Sequence, residues 1–466
     1  MKKKTIRNIL FFLVVPLALI GMIYFFVALY YTNHFYNGTW INGVNFSNKT
    51  VDEAKESLKE YKSTYILRIV EPDGDQEVIL GKDIDYAEAF DAVDEIKASQ
   101  GIWGWILAFA DVNFYTVDST SSYDEDKLEQ QVSQLECISG KDVVQPQNAY
   151  VEFTEDGVTL VPEVSGTQMD ESKLLAAVQS ALDEGLTRIV LDDSYYIQPE
   201  VTTQSRQIRE IMEPVETIEG TTITYDIGGS EEVLDSTTTK SWICQDEEGN
   251  VTVDSDKVLA YVQSLADKYN TVGNSREFTA TGGTTVTVPG GNYGWAIDVQ
   301  AESMALRDAL LAGESQTKEP VYSSTAARHG GNEIGDTYIE ISIDQQHMWF
   351  YKDGALYADT NIVTGMVNGG YDTPKGSYKV LNRYTNLLLE GEDKEGDKYA
   401  SHVDLWIGFY RSDYGIHDAS WRGESQSGYG GKIYINNGSH GCVNTPYPEM
   451  EKIFNAVELN TPVLIY

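Results

Sequence analysis

Residues 433–446 read IYINNGSHGCVNTP and place a cysteine two positions after a histidine. The chain of 466 residues has only three cysteines and six histidines, so this pairing is rare by chance. A cysteine becomes a nucleophile when a neighbouring base, most often histidine, takes its proton and hydrogen-bond donors face the developing oxyanion. The stretch therefore predicts Cys442 as a candidate nucleophile.

Two histidines are candidates for the base. His440 lies two positions before Cys442, a spacing that constrains ring and thiol awkwardly. His417 follows an apolar run and can approach from an adjoining strand or loop, so we predict His417 as the base. Gly441 permits a close backbone approach or a positive φ. We predict the amides of Gly441 and Cys442 as oxyanion donors.

Other interpretations of Cys442 stay open. It could be an inert core thiol, or part of a metal site with His417, His440 and Asp418. Metal sites usually need three or four ligands at recognisable spacing, and no second cysteine lies in this region, so we predict no metal and no cofactor. The remaining histidines are weaker candidates, because they lie at a membrane edge, in a linker or in β-like runs: His34, His329, His347 and His402.

Composition limits the partners. The chain carries 34 Lys and Arg against 72 Asp and Glu, a net charge of −38. Nucleic-acid affinity comes largely from cationic contacts to phosphates, so we predict no nucleic-acid partner. The length predicts several domains, and 41% hydrophobic residues are enough for their cores.

The first residues predict a membrane anchor. Residues 1–8 carry four basic side chains, and the 23 residues 9–31 carry no charge. As a helix they would span about 34 Å, enough to cross a bilayer. The basic flank belongs in the cytoplasm, so the rest of the chain would lie outside. A cleavable signal peptide is the alternative, but no good small-residue cleavage site follows.

The other cysteines leave two possibilities. Cysteines outside the membrane usually pair, and three is an odd number, so Cys442 is the natural unpaired one. Cys137 and Cys244 could form a disulfide or be two buried free thiols.

An internal repeat organises the middle of the chain. SGTQMDESKLLAAVQSALDEG (165–185) returns 128 positions later as YGWAIDVQAESMALRDALLAG (293–313). Each copy follows a β-like run that ends in Val-Pro, and the apolar spacing in 170–184 fits one face of a helix. Thr50 and Glu53 have the capping-box spacing for an opening helix. We predict two α+β modules, 35–200 and 201–325.

The residue pattern changes after the stretch 326–335, which is rich in glycine and other small residues and which we predict to be a linker. Residues 336–466 contain short β-like runs and a KDG turn signal, and one of these runs is KIYI (432–435). PYPEMEKIFNAVE (446–458) is the single helix candidate after the cysteine motif. This region therefore predicts a mostly-β domain.

His417 together with SHGCVN (439–444) resembles the signature of the L,D-transpeptidases, the YkuD-type catalytic domain. The stretches 339–365 and 372–381, the latter reading DTPKGSYKVL, are similar to that domain's opening strands and Thr-Pro-x-Gly turn. Residues 36–322 loosely resemble the peptidoglycan-binding-type repeats that stand between a membrane anchor and a wall enzyme in Gram-positive bacteria. Between His417 and Ser439 lie 21 residues, more than the family usually has. We predict that WRGESQSGYGGK (421–432) is a surface insertion.

The resemblance implies a multidomain enzyme on the outer side of a single-pass cell-membrane anchor. It also implies that carbapenems acylate the enzyme. Cys442 would attack the carbonyl before the terminal D-Ala of a tetrapeptide stem, and an amine of a neighbouring stem would resolve the thioester into a 3→3 cross-link. His417 would be the base, Ser439 and His440 would orient it, and Asn444 would brace the loop. The predicted substrate pocket comprises Tyr414, Trp421 and Arg422.

Three alternatives remain. An L,D-carboxypeptidase would use the same site with water as acceptor. A sortase is also anchored and Cys/His-based, but no arginine follows Cys442 in this chain. A wall-binding scaffold with an inactive enzyme domain is disfavoured by intact Cys442 and His417. The oligomeric state stays open.

Overall fold

The computed structural model describes residues 2–62, 64–89, 92–116, 120–392, 394, 396–423 and 426–466. It forms two compact units. The first contains residues 1–150 and 161–205, and the second contains residues 151–160 and 206–466.

Elements of the first half of the chain are short apart from the first helix. The helices are α1 (Lys2–Tyr30), α2 (Val51–Lys62), α3 (Ala92–Ser99), α4 (Glu125–Ser133), α5 (Glu136–Ser139) and α6 (Glu171–Asp183). The strands are β1 (Thr39–Ile41), β2 (Val44–Asn45), β3 (Ile66–Val70), β4 (Gln76–Leu80), β5 (Ala87–Ala89), β6 (Asn113–Tyr115), β7 (Thr120–Ser122), β8 (Tyr150–Thr154), β9 (Gly157–Val161) and β10 (Arg188–Val190). They pair as β2-β1-β6, β10-β3-β4, β5-β7 and β8-β9.

Helix α1 carries the apolar N-terminal segment. Its part Ile9–Tyr30 has 22 residues, and an 18-residue window in it has a mean hydropathy of 2.7 and no buried residue. By length and composition it can cross a membrane, a test that a signal sequence near the N-terminus passes as well. Helix α2 begins with the predicted capping box, in which the Thr50 N–H donates to Glu53 Oε2 at 2.7 Å and the Glu53 N–H donates to Thr50 Oγ1 at 3.2 Å.

The second module lies in the second unit. Its helices are α7 (Arg206–Glu219), α8 (Ser236–Thr239), α9 (Ser255–Tyr269) and α10 (Val299–Ala312). Its strands are β11 (Ile223–Ile227), β12 (Ser230–Leu234), β13 (Ile243–Gln245), β14 (Val251–Val253), β15 (Arg276–Thr279), β16 (Thr285–Val288), β17 (Ala296–Ile297), β18 (Gln316–Lys318) and β19 (Tyr322–Ser324). They pair as β12-β11-β18, β13-β14, β15-β16 and β17-β19.

The internal repeat appears in the structure as two matching helices, each preceded by a β-hairpin. Helices α6 and α10 are its two predicted helices, and aspartates at matching positions, Asp170 and Asp298, accept hydrogen bonds from their first-turn amides. Gly185 and Gly313 follow the two helices with positive φ. A β-hairpin precedes each helix, β8-β9 in the first copy and β15-β16 in the second.

The C-terminal region is strand-rich. Its strands are β20 (Tyr338–Ser342), β21 (His347–Lys352), β22 (Ala355–Asn361), β23 (Gly376–Lys379), β24 (Asn382–Glu392), β25 (Lys398–Tyr410), β26 (Tyr414–Asp418), β27 (Val443–Thr445) and β28 (Pro462–Ile465), and its helices are α11 (Ile433–Asn437) and α12 (Tyr447–Ala456). Two sheets form, β22-β21-β20-β28-β23 and β24-β25-β26-β27. One hydrophobic cluster joins both sheets and α12, with Phe350, Ile407, Val443 and Ile453 all fully buried in it.

One predicted strand is wrong. KIYI (432–435) is not a strand, because residues from Ile433 onwards form the short helix α11. Gly430 and Gly431, both at positive φ, redirect the chain just before it. Ile433 and Tyr434 pack there on the small cluster of Val363, Ala419 and Tyr429. A short apolar run of four residues does not distinguish a strand from a helix.

The predicted insertion 421–432 is only partly a surface segment. Tyr429 within it is buried, and its hydroxyl donates to the Ala419 carbonyl at 2.9 Å. Ser420–Arg422 and Gln426–Gly428 form single 3₁₀ turns. The end of this segment is therefore part of the packed wall behind the cysteine motif.

The second module packs directly on the C-terminal region. Arg276, at the start of β15, forms a buried ion pair with Glu333 at 2.6 Å and donates to Ser377 Oγ of β23 at 3.1 Å. The fully buried Glu340 of β20 accepts hydrogen bonds from the Thr281 amide and hydroxyl. Because Glu333 lies in the stretch predicted as a linker, that stretch is packed rather than free.

Candidate active site

The backbone of the site is set by two parallel strands. Strand β26 pairs with β27 so that His417 is in register with Asn444. Cys442 immediately precedes β27, two positions before Asn444, and alternate residues of an extended chain face the same side. The parallel pairing therefore brings the thiol, the imidazole and the amide to one face.

These side chains share a cavity of about 520 Å³. Seven of the nine predicted site residues line it: His417, Trp421, Arg422, Ser439, His440, Cys442 and Asn444. The other walls come from β24, β25 and the turn before β26, including Leu387, Tyr399, Trp406 and Asp413.

The thiol of Cys442 is protonated at rest. Its Sγ donates to the Asp413 carbonyl at 3.3 Å. Burial raises the pKa of the thiol, a hydrogen bond from the Gly415 amide lowers it, and the Asp413 charge raises it, with a net pKa of about 11. The site therefore holds no preformed thiolate at neutral pH, and attack requires a base.

His417 is suited to be that base. It is 3% exposed, and its Nδ1 lies 2.8 Å from the Asp418 carbonyl, which can only accept. Nδ1 therefore carries the proton and Nε2 keeps a free lone pair. Burial lowers the pKa of His417, the nearby Arg422 charge lowers it further, and the Asp418 carbonyl and carboxylate oppose this shift. The ring of Trp406 lies nearly parallel to His417 at 5.9 Å.

Ser439 shapes the turn that carries the cysteine. Its hydroxyl donates to the Cys442 carbonyl at 2.5 Å and accepts from the Gly441 amide at 3.0 Å. This corrects one prediction, because the Gly441 N–H points at Ser439 and is not free to bind an oxyanion. The Gly441 carbonyl accepts from Thr373 Oγ1 at 2.8 Å.

Tyr414 is a second correction. It does not line the cavity, and it packs behind the cysteine turn, where a Cβ on Gly441 would lie 2.7 Å from its ring. Gly441 has φ +120°, a conformation that L side chains rarely adopt. Tyr414 thus acts through shape, by requiring glycine beside the cysteine, and not as a wall of the substrate pocket.

His440 is held between two aromatic rings. Tyr399 of β25 stacks on it at 4.6 Å with an interplanar angle of 2°, and Tyr371 meets it edge-on at 4.6 Å. The Tyr371 hydroxyl in turn accepts from the Lys394 amide in the turn between β24 and β25. His440 therefore fixes the rim of the cavity to the β24-β25 hairpin.

Two polar groups at the site have no protein partner in the described part of the chain. Asn444 Oδ1 and Arg422 Nε are buried without a hydrogen bond. The Asn444 backbone exchanges two hydrogen bonds with Val363, at 2.9 and 3.0 Å. Arg422 Nη2 donates to the Asn437 carbonyl at 2.8 Å, and Trp421 exposes about half of its surface beside it. A buried polar atom without a hydrogen bond lowers the free energy of unfolding. Such atoms are typical of a site where a bound ligand supplies the missing partner.

Sequence reasoning missed Asp413, Trp406, Tyr371 and Tyr399. Their contacts with Cys442, His417 and His440 join residues far apart along the chain, and no local pattern marks them. Thr373 had a signal, since it lies in the quoted stretch DTPKGSYKVL, but that pattern does not reveal its bonds to Gly365 and Gly441.

One group of potential metal ligands lies elsewhere, among the described residues. Glu71, Glu77 and Cys137 have ligand atoms within 4.8 Å of one another. Glu77 already accepts from the Glu136 and Cys137 amides, and burial raises the pKa of the Cys137 thiol, which disfavours the thiolate that a metal needs. At the candidate site, Asp418 Oδ1 accepts from the Leu405 amide. Cys137 is buried, Cys244 is half-buried, and both are free thiols.

The comparisons with known proteins match the region of the chain that contains this site. Residues 336–465 match the family described as L,D-transpeptidase catalytic domain. The chain is 37% identical to the crystallised C442S mutant of the Enterococcus faecium L,D-transpeptidase, covering 55% of this chain and 100% of that chain, with a TM-score of 0.44.

The chain belongs to the L,D-transpeptidase family.

Other relatives match smaller parts of this chain. The catalytic domain of the E. faecium enzyme acylated by ertapenem is 41% identical over 28% of this chain and 97% of that chain, with a TM-score of 0.25. The Mycobacterium tuberculosis protein named Probable L,D-transpeptidase 3 is 26% identical over 121 residues, 25% of this chain, and the match spans 40% of that protein's length. Residues 80–190 and 197–319 match a family of peptidoglycan binding domains, and the second match begins at 197, within the predicted first module.

Proposed function

We propose that this L,D-transpeptidase forms 3→3 cross-links between peptidoglycan stems through a thioester on Cys442. The observation that carries the proposal is the shared cavity, which is lined by Cys442, by His417 with its proton on Nδ1, and by Asn444, whose buried Oδ1 has no hydrogen bond among the described residues. The related E. faecium domain acylated by ertapenem supports an acyl-enzyme.

In the first half-reaction His417 Nε2 takes the thiol proton as Cys442 Sγ attacks the carbonyl before the terminal D-Ala. The Cys442 amide is our proposed donor to the oxyanion. Collapse of the tetrahedral intermediate breaks the amide bond, and the His417 imidazolium returns its proton to the leaving D-Ala amine. A thioester remains on Cys442.

In the second half-reaction an amine of a neighbouring stem attacks the thioester carbonyl. His417 removes the proton of that amine, a new amide bond forms, and the proton goes back to the Cys442 sulfur as it leaves. Water in place of the amine would give a trimmed stem, the carboxypeptidase alternative. The thioester keeps the acyl group activated without an external energy source.

Arg422 is our proposed anchor for the D-Ala carboxylate. It is the one Lys or Arg among the described residues that line the cavity. Its buried Nε lacks an acceptor, and a guanidinium binds a carboxylate through two parallel hydrogen bonds. Asn444 Oδ1 is the proposed acceptor for a substrate N–H.

We further propose that α1 is an uncleaved anchor that holds the enzyme on the outer face of the cell membrane of a Gram-positive bacterium. The modules 35–200 and 201–325 would then be wall-binding or spacer segments ahead of a catalytic domain at 336–466. The basic residues before Ile9 support this orientation.

The test of cross-linking uses the full chain in detergent with a disaccharide-tetrapeptide, followed by mass spectrometry. We expect a dimer that has lost one D-Ala, and its absence in Cys442→Ala. A dimer that persists in Cys442→Ala would refute the nucleophile. Trimmed monomer alone would favour the carboxypeptidase.

A further inference from the structure

One loop of the first unit exposes an unusual amount of apolar surface. Residues 101–115, GIWGWILAFADVNFY, contain a single charged side chain, Asp111, in a chain that is 23% charged. We call this segment the aromatic loop. Six of its large apolar side chains each expose more than half of their surface: Trp103, Ile106, Leu107, Phe109, Val112 and Phe114.

The aromatic loop lies against the apolar N-terminal helix. The ring of Tyr24 in α1 stacks on Trp103 at 6.0 Å and contacts Trp105 at 5.3 Å. The Tyr24 hydroxyl donates to the Trp103 carbonyl. Tyr31 stacks on Trp105 at 6.0 Å, and Phe25 contacts Trp103 at 6.3 Å. These contacts all belong to the first unit.

The position of Tyr24 sets the depth of the loop. Tyr24 lies six residues before Tyr30, the end of the apolar segment, and six residues of helix rise about 9 Å. The 22-residue segment spans about 33 Å, close to the thickness of a bilayer's hydrocarbon core. If α1 crosses the membrane, Trp103 lies about 9 Å below the outer end of the segment, since it is level with Tyr24.

We infer that the aromatic loop inserts into the outer leaflet of the membrane beside α1. The inference rests on the proposed anchor, and the occupant of the exposed apolar surface is the lipid bilayer itself. Amphipathic helices that lie in the interface bury their apolar face by about 5–10 Å, a depth similar to that given by Tyr24. Tryptophan and tyrosine are enriched at this level of membrane proteins.

The chemistry of the loop fits that location. Its 3₁₀ turn Leu107–Phe109 presents two of the most exposed side chains while Ala108 between them is buried. The single carboxylate, Asp111, is exposed and accepts from the Val112 amide, so it can remain among the headgroups. A loop that enters the leaflet gives the first unit a second membrane contact besides α1.

The test reads the environment of one side chain in the full chain. Leu107→Cys is labelled with the fluorophore NBD in a Cys244→Ser, Cys442→Ser background and placed in lipid nanodiscs. Val190→Cys on strand β10, 66% exposed against 74% for Leu107, is the matched control, and the background chain measures any labelling of buried Cys137. Lipids with a nitroxide near the top of the acyl chain are the quencher.

We expect blue-shifted emission and strong quenching for the label at position 107, and neither at position 190. Phe109→Asp should reduce the quenching at position 107 several-fold, whereas Phe109→Leu should keep it. Water-like emission at position 107 in a chain that stays in the nanodisc would overturn the inference and leave the anchor standing. A blue shift without nitroxide quenching would overturn it in favour of a protein partner or a second copy. Failure of the chain to enter the nanodisc would refute the anchor itself.

Discussion

At the scale of single residues, the site combines a thiol with a raised pKa, Cys442, and an imidazole with a lowered pKa, His417. Cys442 and His417 are both shifted away from their charged forms, the first by burial that raises its pKa and the second by burial that lowers it. A thiolate–imidazolium pair is therefore not the resting state. In the proposed mechanism the proton moves from Sγ to Nε2 as Cys442 attacks the substrate carbonyl.

The thiol pKa predicts the pH dependence of alkylation in the absence of substrate. With a pKa of about 11, the alkylation rate of Cys442 by iodoacetamide should rise roughly tenfold per pH unit from 7 to 10, because only the thiolate reacts. Peptide mapping by mass spectrometry measures the rate at Cys442, and Cys442→Ser is the blank. A plateau below pH 8 would mean that a thiolate is already present at rest.

Arg422 should control recognition of the terminal carboxylate. Arg422→Gln is expected to raise the KM for tetrapeptide roughly 10- to 100-fold, because it removes a charge-assisted hydrogen bond of about 1.5–3 kcal/mol. A tetrapeptide that ends in D-Ala amide is the control substrate, and wild type and variant should use it equally poorly. An unchanged KM with the carboxylate substrate would contradict the assignment. Arg422→Lys keeps the charge, so its KM should lie between those of the wild type and Arg422→Gln.

At the scale of elements, the cysteine turn is positioned from the side by the segment before β23. Thr373 Oγ1 accepts from the Gly365 amide at 2.9 Å and donates to the Gly441 carbonyl at 2.8 Å. Tyr414 of β26 fills the space next to Gly441. Two other parts of the chain, the segment with Thr373 and strand β26, thus hold the turn that carries Cys442.

Loss of the Thr373 hydroxyl should loosen that turn. Thr373→Val keeps the shape but leaves two buried backbone groups unpaired, at a cost of about 1–3 kcal/mol. We expect faster hydrogen exchange in a peptide covering 439–445 and slower acylation by a carbapenem. Thr373→Ser restores the hydroxyl and should restore both. Equal exchange in wild type and Thr373→Val would show that the bridge does not hold the turn.

At the scale of the whole molecule, each of the two hairpins packs beyond its own repeat copy. Hairpin β8-β9 precedes α6, yet residues 151–160 belong to the second unit and Phe153 packs on the hydrophobic cluster of the second module. Hairpin β15-β16 precedes α10, and its Phe278 and Val288 share a cluster with Leu464 of β28. Within the second unit, both hairpins therefore pack on residues that follow them in the sequence.

The buried pair Arg276–Glu333 is the polar centre of the second contact. Arg276→Met leaves a buried carboxylate unpaired, which typically destabilises by about 3–5 kcal/mol. We expect a lower melting temperature for the second unit in thermal unfolding. The double variant Arg276→Met, Glu333→Leu should recover most of the loss, since no unpaired charge remains. A double variant as unstable as the single one would mean that packing, and not charge, holds this contact.

The sequence by itself determined what depends on local pattern: the apolar helix α1, the aspartate-capped repeat helices α6 and α10, the strand-rich C-terminal region, and the scarce pair Cys442 and His417. Tertiary structure alone decided the rest. Tyr414 lies behind the cysteine turn, and the Gly441 amide donates to Ser439. Residues 433–435 of KIYI lie in a helix, and the Asp413 carbonyl contacts the thiol. Apolar spacing and capping residues act within a few turns of chain, whereas these contacts depend on how distant segments pack.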